Sequence, residues 1–184
     1  VAKSGPILPF NAHFLRRNKG KQLPHHLVFI DVETEDRIDD QGVNTPILKL
    51  GWACYVRVEG KGRFVPPRWL FFRKAEEFWD WYESLLISKK EYYLIAHNVG
   101  FDFRILRGFT TMKERGWALK SYYAKHKVVI LKWKRGKVTT VVMDNCNIFS
   151  MSLSELGVAL GHPKAEVDFK RCSLGELSAY CKRD

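Results

Sequence analysis

Leu27-Val28-Phe29-Ile30 runs directly into Asp31-Val32-Glu33, so a segment apolar enough to be a buried strand ends in two carboxylates. Side chains alternate faces along a strand. Asp31 and Glu33 therefore project together while Val32 enters the core. Two carboxylates held side by side repel unless a cation lies between them. The fold must bury this strand yet leave one of its faces able to accept that charge.

The rest of the pattern supplies a frame. A turn-rich stretch, 34–46, leads to a returning strand over 47–60, closed by Gly60-Lys61-Gly62, and RWLFFRK over 68–74 predicts a third strand. Phe78, Trp81, Tyr82 and Leu85 recur at helical spacing within 74–90. YYLIAHN, 92–98, predicts another buried strand, followed by one helix through 101–116. Two β-rich runs over 128–144 flank Lys134-Arg135-Gly136-Lys137, where the glycine can take a positive φ, and predict a hairpin. Short helices are predicted near 151–162, stopping at Gly161, and from Ser173 to the last residue. Strands first, then strand and helix alternating, predict an α/β fold in which a mixed sheet is flanked by helices.

At 184 residues, 46% of them hydrophobic, the chain has material for one well-cored domain over 27–184, preceded by a basic N-terminal arm over 1–26. No apolar run is long enough to span a bilayer, and no membrane partner is expected. Cys54, Cys146, Cys172 and Cys181 form no CxxC pair and no zinc spacing, and are expected as reduced thiols of an intracellular protein. The net charge is +11, from 31 Lys and Arg against 20 Asp and Glu. That charge serves solubility, or it draws a polyanion to the surface.

Further acids stand where a charge needs a reason. Asp102, in LIAHNVGFDFRIL, falls in the first turn of the predicted helix, with Asn98 as its N-cap candidate. Tyr180 and Asp184 are spaced i, i+4, so phenol and carboxylate share a helix face. Each of these segments is common alone; their order and contexts together describe a carboxylate cage for two divalent cations, the chemistry of phosphodiester hydrolysis. Hard oxygen ligands favour Mg²⁺ or Mn²⁺. Lys132, Lys134, Arg135 and Lys137 of the hairpin are candidates to track phosphates. His25-His26 is not expected to be a metal pair, since neighbours in an extended chain diverge, and Asp144 is expected to be a structural acid.

With these motifs the chain resembles the DEDD-type 3′–5′ exonucleases of the ribonuclease-H-like fold, in the subclass whose third motif is YxxxD; Ala179 stands where the other subclass has His. Thr34 directly after the acids, the HNxxFD arrangement of Asn98 and Phe101, and Ser152-Leu153 in a (S/T)Lxxh pattern are similar to the proofreading domain of family B DNA polymerases, particularly the viral, plasmid and organellar branch. The resemblance implies that Asp31, Glu33, Asp102 and Asp184 are the metal ligands, that Asp31 bridges the two ions, and that Tyr180 positions the attacking water. It implies further that Thr34, Asn98, Phe101, Ser152 and Leu153 hold a single-stranded 3′ end, DNA ahead of RNA. The expected product is a nucleoside 5′-monophosphate. No polymerase motif is present in the 184 residues and the chain stops on the last of the acids, where a carboxylate would fray, so a piece of a longer chain is expected, one that can carry a polymerase domain. A stand-alone DNA or RNA exonuclease and a catalytically idle nucleic-acid-binding module are the alternatives.

Overall fold

The computed structural model describes residues 24–38, 40–125, 128–169 and 171–184. Most of the expected N-terminal arm lies outside the described residues. Its last two residues, His25 and His26, meet the sheet. His26 begins the first strand, and the His25 carbonyl accepts the Val58 N–H at 2.9 Å.

The opening strands are β1 (His26–Ile38), β2 (Asn44–Glu59), the two-residue β3 (Arg63–Phe64) and β4 (Arg68–Phe72). Helix α1 (Ala75–Ser84) and β5 (Glu91–Ala96) follow, then α2 (Val99–Ile105) and α3 (Gly108–Glu114). The second half holds β6 (Ala118–Lys125), β7 (Val128–Arg135), β8 (Val138–Asp144), α4 (Leu153–Ala159) and α5 (Leu174–Arg183). Eight strands form one mixed sheet in the order β3-β2-β1-β5-β8-β7-β6, with β4 also on β2. β1, β5 and β8 run parallel to one another, and antiparallel pairs flank them. The α/β class expected from the sequence is observed. Among the described residues no helix is long and apolar enough to cross a membrane.

The two sheet faces are unlike. Val28, Ile30 and Val32 of β1 enter the main core, with Phe72, Phe78, Trp79, Tyr82, Leu94 and Phe103. α1 lies over this face, its Trp79 Nε1–H donating to the Leu106 carbonyl at 2.8 Å. On the opposite face Leu177 and Cys181 of α5 pack against Leu50 of β2. Burying a side chain such as Leu177 contributes roughly 1.5–3 kcal/mol. Asp31 and Glu33 share this second face, opposite Trp52 and Leu50 in the antiparallel register. Gly51 is required between them, because a Cβ there would lie 2.3 Å from the Phe72 ring.

Several expectations are corrected. The strands extend well into the stretch read as a turn, since β1 runs to Ile38 and β2 starts at Asn44. The fully buried tryptophan of α1 is Trp79, while Trp81 is partly buried beside the core. The single helix over 101–116 is two, broken at Leu106-Arg107, where Arg107 takes a left-handed φ of 53°. Trp79 claims the Leu106 carbonyl at that break. β6 is an additional edge strand, exposed throughout. The hairpin is as expected, with Gly136 at φ 56°, but its cations are partly committed. Arg135 pairs with Glu83 at 2.6 Å and lies 4.7 Å from the centre of the Trp117 ring, and Lys132 pairs with Glu91 at 3.4 Å.

Candidate active site

The middle of β1 and the C-terminal turn of α5 meet on the second face of the sheet. Asp31 and Glu33 come from the strand; Tyr180, Cys181 and Asp184 come from the helix. Their meeting is fixed by the apolar contacts of Leu177 and Cys181, and by the Cys181 thiol, which donates to the Asp31 carbonyl at 3.4 Å. Asp31 and Asp184 line one hollow of about 240 Å³.

Ligand atoms of Asp31, Glu33 and Cys181 lie within 4.8 Å of one another. Asp31 Oδ2 is buried and has no hydrogen-bond partner, a costly state for an ionised oxygen. Burial, reinforced by Asp184 and opposed by the Cys181 thiol and Lys164, pushes the Asp31 carboxyl up to about 6. Glu33 is raised to about 7, by burial and then by the charges of Asp31 and Asp184, against Lys164 and Lys49.

Asp102 reaches the same neighbourhood from the main-core side, in the first turn of α2. It is 3% exposed, and its Oδ1 accepts the Val32 N–H at 3.1 Å, tying helix to strand between the two acids of β1. Its carboxyl is pushed up to about 8, by burial first and the nearby Asp31 second. Asp184 is turned toward Lys164, whose ammonium forms an ion pair with it. Burial alone would lower the Lys164 pKa, but its hydrogen bonds to Asp184 and Tyr180 hold it above the ordinary lysine value. The four acids are therefore neighbours around Asp31, with Asp102 engaged by the backbone and Asp184 by Lys164.

Tyr180 is buried, with Lys164 Nζ 4.6 Å from its ring centre and Phe169 edge-on at 5.3 Å. Burial raises its pKa, so the phenol keeps its proton and can donate. Leu153 lines a second hollow, of about 220 Å³, together with Lys164 and Asp184. Ser152 is the N-cap of α4, its hydroxyl donating to Glu155 Oε2 at 2.8 Å and accepting the Glu155 N–H at 3.2 Å. Thr34 sits at a register shift in the β1–β2 pairing, opposite Leu48, and Phe101 packs partly buried against the main core.

Asn98 does precede α2, but it makes no side-chain cap and adopts a left-handed φ of 66°. Asp144 does the capping. Its carboxylate accepts the N–H groups of Asn98 at 2.9 Å, Val99 at 3.1 Å and Cys146 at 2.8 Å, which gives the expected structural acid a definite task. His25 and His26 diverge, as expected. Nδ1 of His25 meets the Val58 carbonyl, and Nδ1 of His26 meets the Tyr55 hydroxyl.

Scans against family models, curated proteins and solved structures give no match. Sequence reasoning missed Lys164 and the placement of Cys181. Lys164 lies in the irregular segment between α4 and α5, where no periodicity marks it. Cys181 reads as a small buried hydrophobe, and only the packing of α5 on β1 brings it to Asp31.

The donor set fits hard divalent cations. Three carboxylates are raised by burial and mutual repulsion, and one buried carboxylate oxygen has no partner. The thiol is a poor competitor as a ligand, because burial keeps it protonated.

Proposed function

We propose that this chain is a metal-dependent 3′–5′ exonuclease domain of the ribonuclease-H-like fold. In this reading it hydrolyses single-stranded nucleic acid to nucleoside 5′-monophosphates, as the proofreading domain of a family B-like DNA polymerase. The observation that carries the proposal is the buried, unpartnered Asp31 Oδ2, with a Glu33 ligand atom within 4.8 Å of an Asp31 ligand atom and with the charges of Asp102 and Asp184 nearby, from parts of the chain up to about 150 residues apart. Burying carboxylates together destabilises a fold. A site that does so is suited to collecting cations.

Asp31, Glu33 and Asp184 would hold one Mg²⁺ or Mn²⁺, and Asp31 with Asp102 a second. Bound there, such ions supply a hydroxide nucleophile at neutral pH and offset charge on the leaving 3′ oxygen. The remaining work belongs to the side chains. The Tyr180 phenol, still protonated, donates a hydrogen bond that orients the attacking water. Lys164, beside Tyr180 and Asp184, offers a positive charge to the phosphate oxygens. Asp102 keeps β1 in place through the Val32 N–H, which fixes the spacing of Asp31 and Glu33. Thr34, Asn98, Phe101, Ser152 and Leu153 would hold the strand end, with the Phe101 ring stacking on a base.

The test is a time course on a 5′-labelled single-stranded DNA with Mg²⁺ or Mn²⁺, beside RNA of the same sequence, a chelator control and Asp31→Ala. A descending ladder that needs both the metal and Asp31 supports the reading and reports the sugar preference. Full activity in Asp31→Ala, or cleavage that survives chelation, would remove it.

A further inference from the structure

A second feature lies beyond the acids. Between the tip of the β1–β2 hairpin, the start of α1 and the α2–α3 junction runs a groove of about 970 Å³. Arg37, Arg73, Lys74, Arg104 and Arg107 line it, and Glu76 is the one acid among its lining residues. All five cations are exposed.

Several cations elsewhere on this surface are ion-paired. Arg57 and Arg63 pair with Glu59, Arg115 with Asp80, Arg135 with Glu83, and Lys132 with Glu91. Among the described residues none of the five groove cations has an ion-pair partner. Glu77, the nearest other acid on α1, accepts the backbone N–H groups of Arg73 and Lys74 and is occupied there. Arg107 also holds a left-handed backbone, which costs a non-glycine residue free energy. Five positive charges gathered in one concavity, with a single acid in its lining, suit a polyanion.

The groove opens on the main-core side of the sheet, the face opposite Asp31 and Glu33, and approaches the site at its Thr34 and Phe101 end. Leu48, which lines it, is the register partner of Thr34, and Ile105, which also lines it, stands one helical turn from Phe101. Arg37 is three residues beyond Thr34 on β1, about 10 Å along the strand.

We propose that this groove binds the sugar-phosphate backbone of single-stranded nucleic acid, on the stretch of strand leading to the Thr34 and Phe101 end of the site. The cations come from β1, the start of α1 and the α2–α3 junction, along the length of the groove, an arrangement suited to successive phosphates of one strand. The lining contains no aromatic side chain on which a base could stack. Binding in the groove is therefore independent of base sequence and strongly dependent on salt. The direction of the strand toward the acids rests on the exonuclease reading; the binding itself does not.

The experiment measures anisotropy of labelled oligothymidylate against salt, in chelator, for the native chain and for Arg73→Ala/Arg104→Ala/Arg107→Asn. Asparagine is used at 107 because it tolerates the left-handed backbone. Removing three phosphate contacts should lower the log–log salt slope by about 2, while cleavage of a dinucleotide, too short to reach the groove, stays at the native rate. An unchanged slope overturns the proposal, and so does equal weakening of oligothymidylate and dinucleotide. If the slope falls in the triple variant while Asp31→Ala still cleaves, the groove stands and the active-site reading falls.

Discussion

Asp102 offers a severe test, because removing its charge should strengthen the fold while ending the activity. Its carboxyl is raised from 3.8 to about 8, through burial and the neighbouring Asp31. A group whose folded pKa lies above its unfolded value adds stability that is complete below the unfolded pKa and is lost as pH rises through the folded one. For Asp102 that window is pH 4 to 8. At 1.36 kcal/mol per pH unit, the contribution lost between the unfolded pKa and pH 7 is about 4 kcal/mol. Asp31 shares the burden, so Asp102→Asn alone is expected to return about half, near 2 kcal/mol. In a chain of this size that is a rise in Tm of roughly 4–8 °C. The amide keeps an oxygen for the Val32 N–H, so the tie to β1 survives. The assay is thermal melting from pH 5 to 8 in chelator, repeated with Mg²⁺. The native chain should lose Tm as pH rises and regain it with Mg²⁺; Asp102→Asn should melt higher in chelator, with a flatter pH profile, gain less from Mg²⁺ than the native chain and not cleave. A variant that melts lower than the native chain at pH 8 in chelator would refute the reasoning.

Further outcomes follow from the same site and its supports. Tyr180→Phe should slow cleavage by no more than about 10²-fold, the low end for a positioned proton-transfer group, whereas Asp31→Ala should leave none on the same labelled strand. Asp144→Ala strands the N–H groups of Asn98, Val99 and Cys146, and urea unfolding should show a loss of about 3 kcal/mol or more. Burial lowers the His26 pKa, with Lys90 and Arg57 adding to it. The unfolded chain then takes up a proton near 6.5 before the folded one does, so the His26 contribution to stability falls as pH drops through that value and opposes that of the acids. His26→Phe should flatten this acid limb in melts read at successive pH values.

What the sequence disclosed and what it withheld follow from the range of the interactions involved. Asp31 and Glu33 were legible because strand alternation is local and an acid after four apolar residues is conspicuous. The helical face of Tyr180 and Asp184 was legible for the same reason. The break between α2 and α3 was not, since it is tied to a tryptophan from α1 that claims the Leu106 carbonyl. Strand β6 escaped because every residue in it is exposed and its register slips near Ser121, so no alternation marks it. Asn98 occupies the expected cap position, yet the carboxylate that serves as cap comes from Asp144, 46 residues away. Lys164 has no local signature; it meets Asp184 only through the packing of α5 against the chain after α4.

The contact between Cys181 and the Asp31 carbonyl spans 150 residues, and that separation has a meaning in time. At about 5–20 residues per second of synthesis, Asp31 leaves the ribosome's catalytic centre roughly 8–30 s before α5 does. Throughout that interval the nascent chain carries one half of the acidic cluster without the other. The acids of β1 thus emerge without their partners, and the cluster is complete only once α5 has been made and has docked on the sheet.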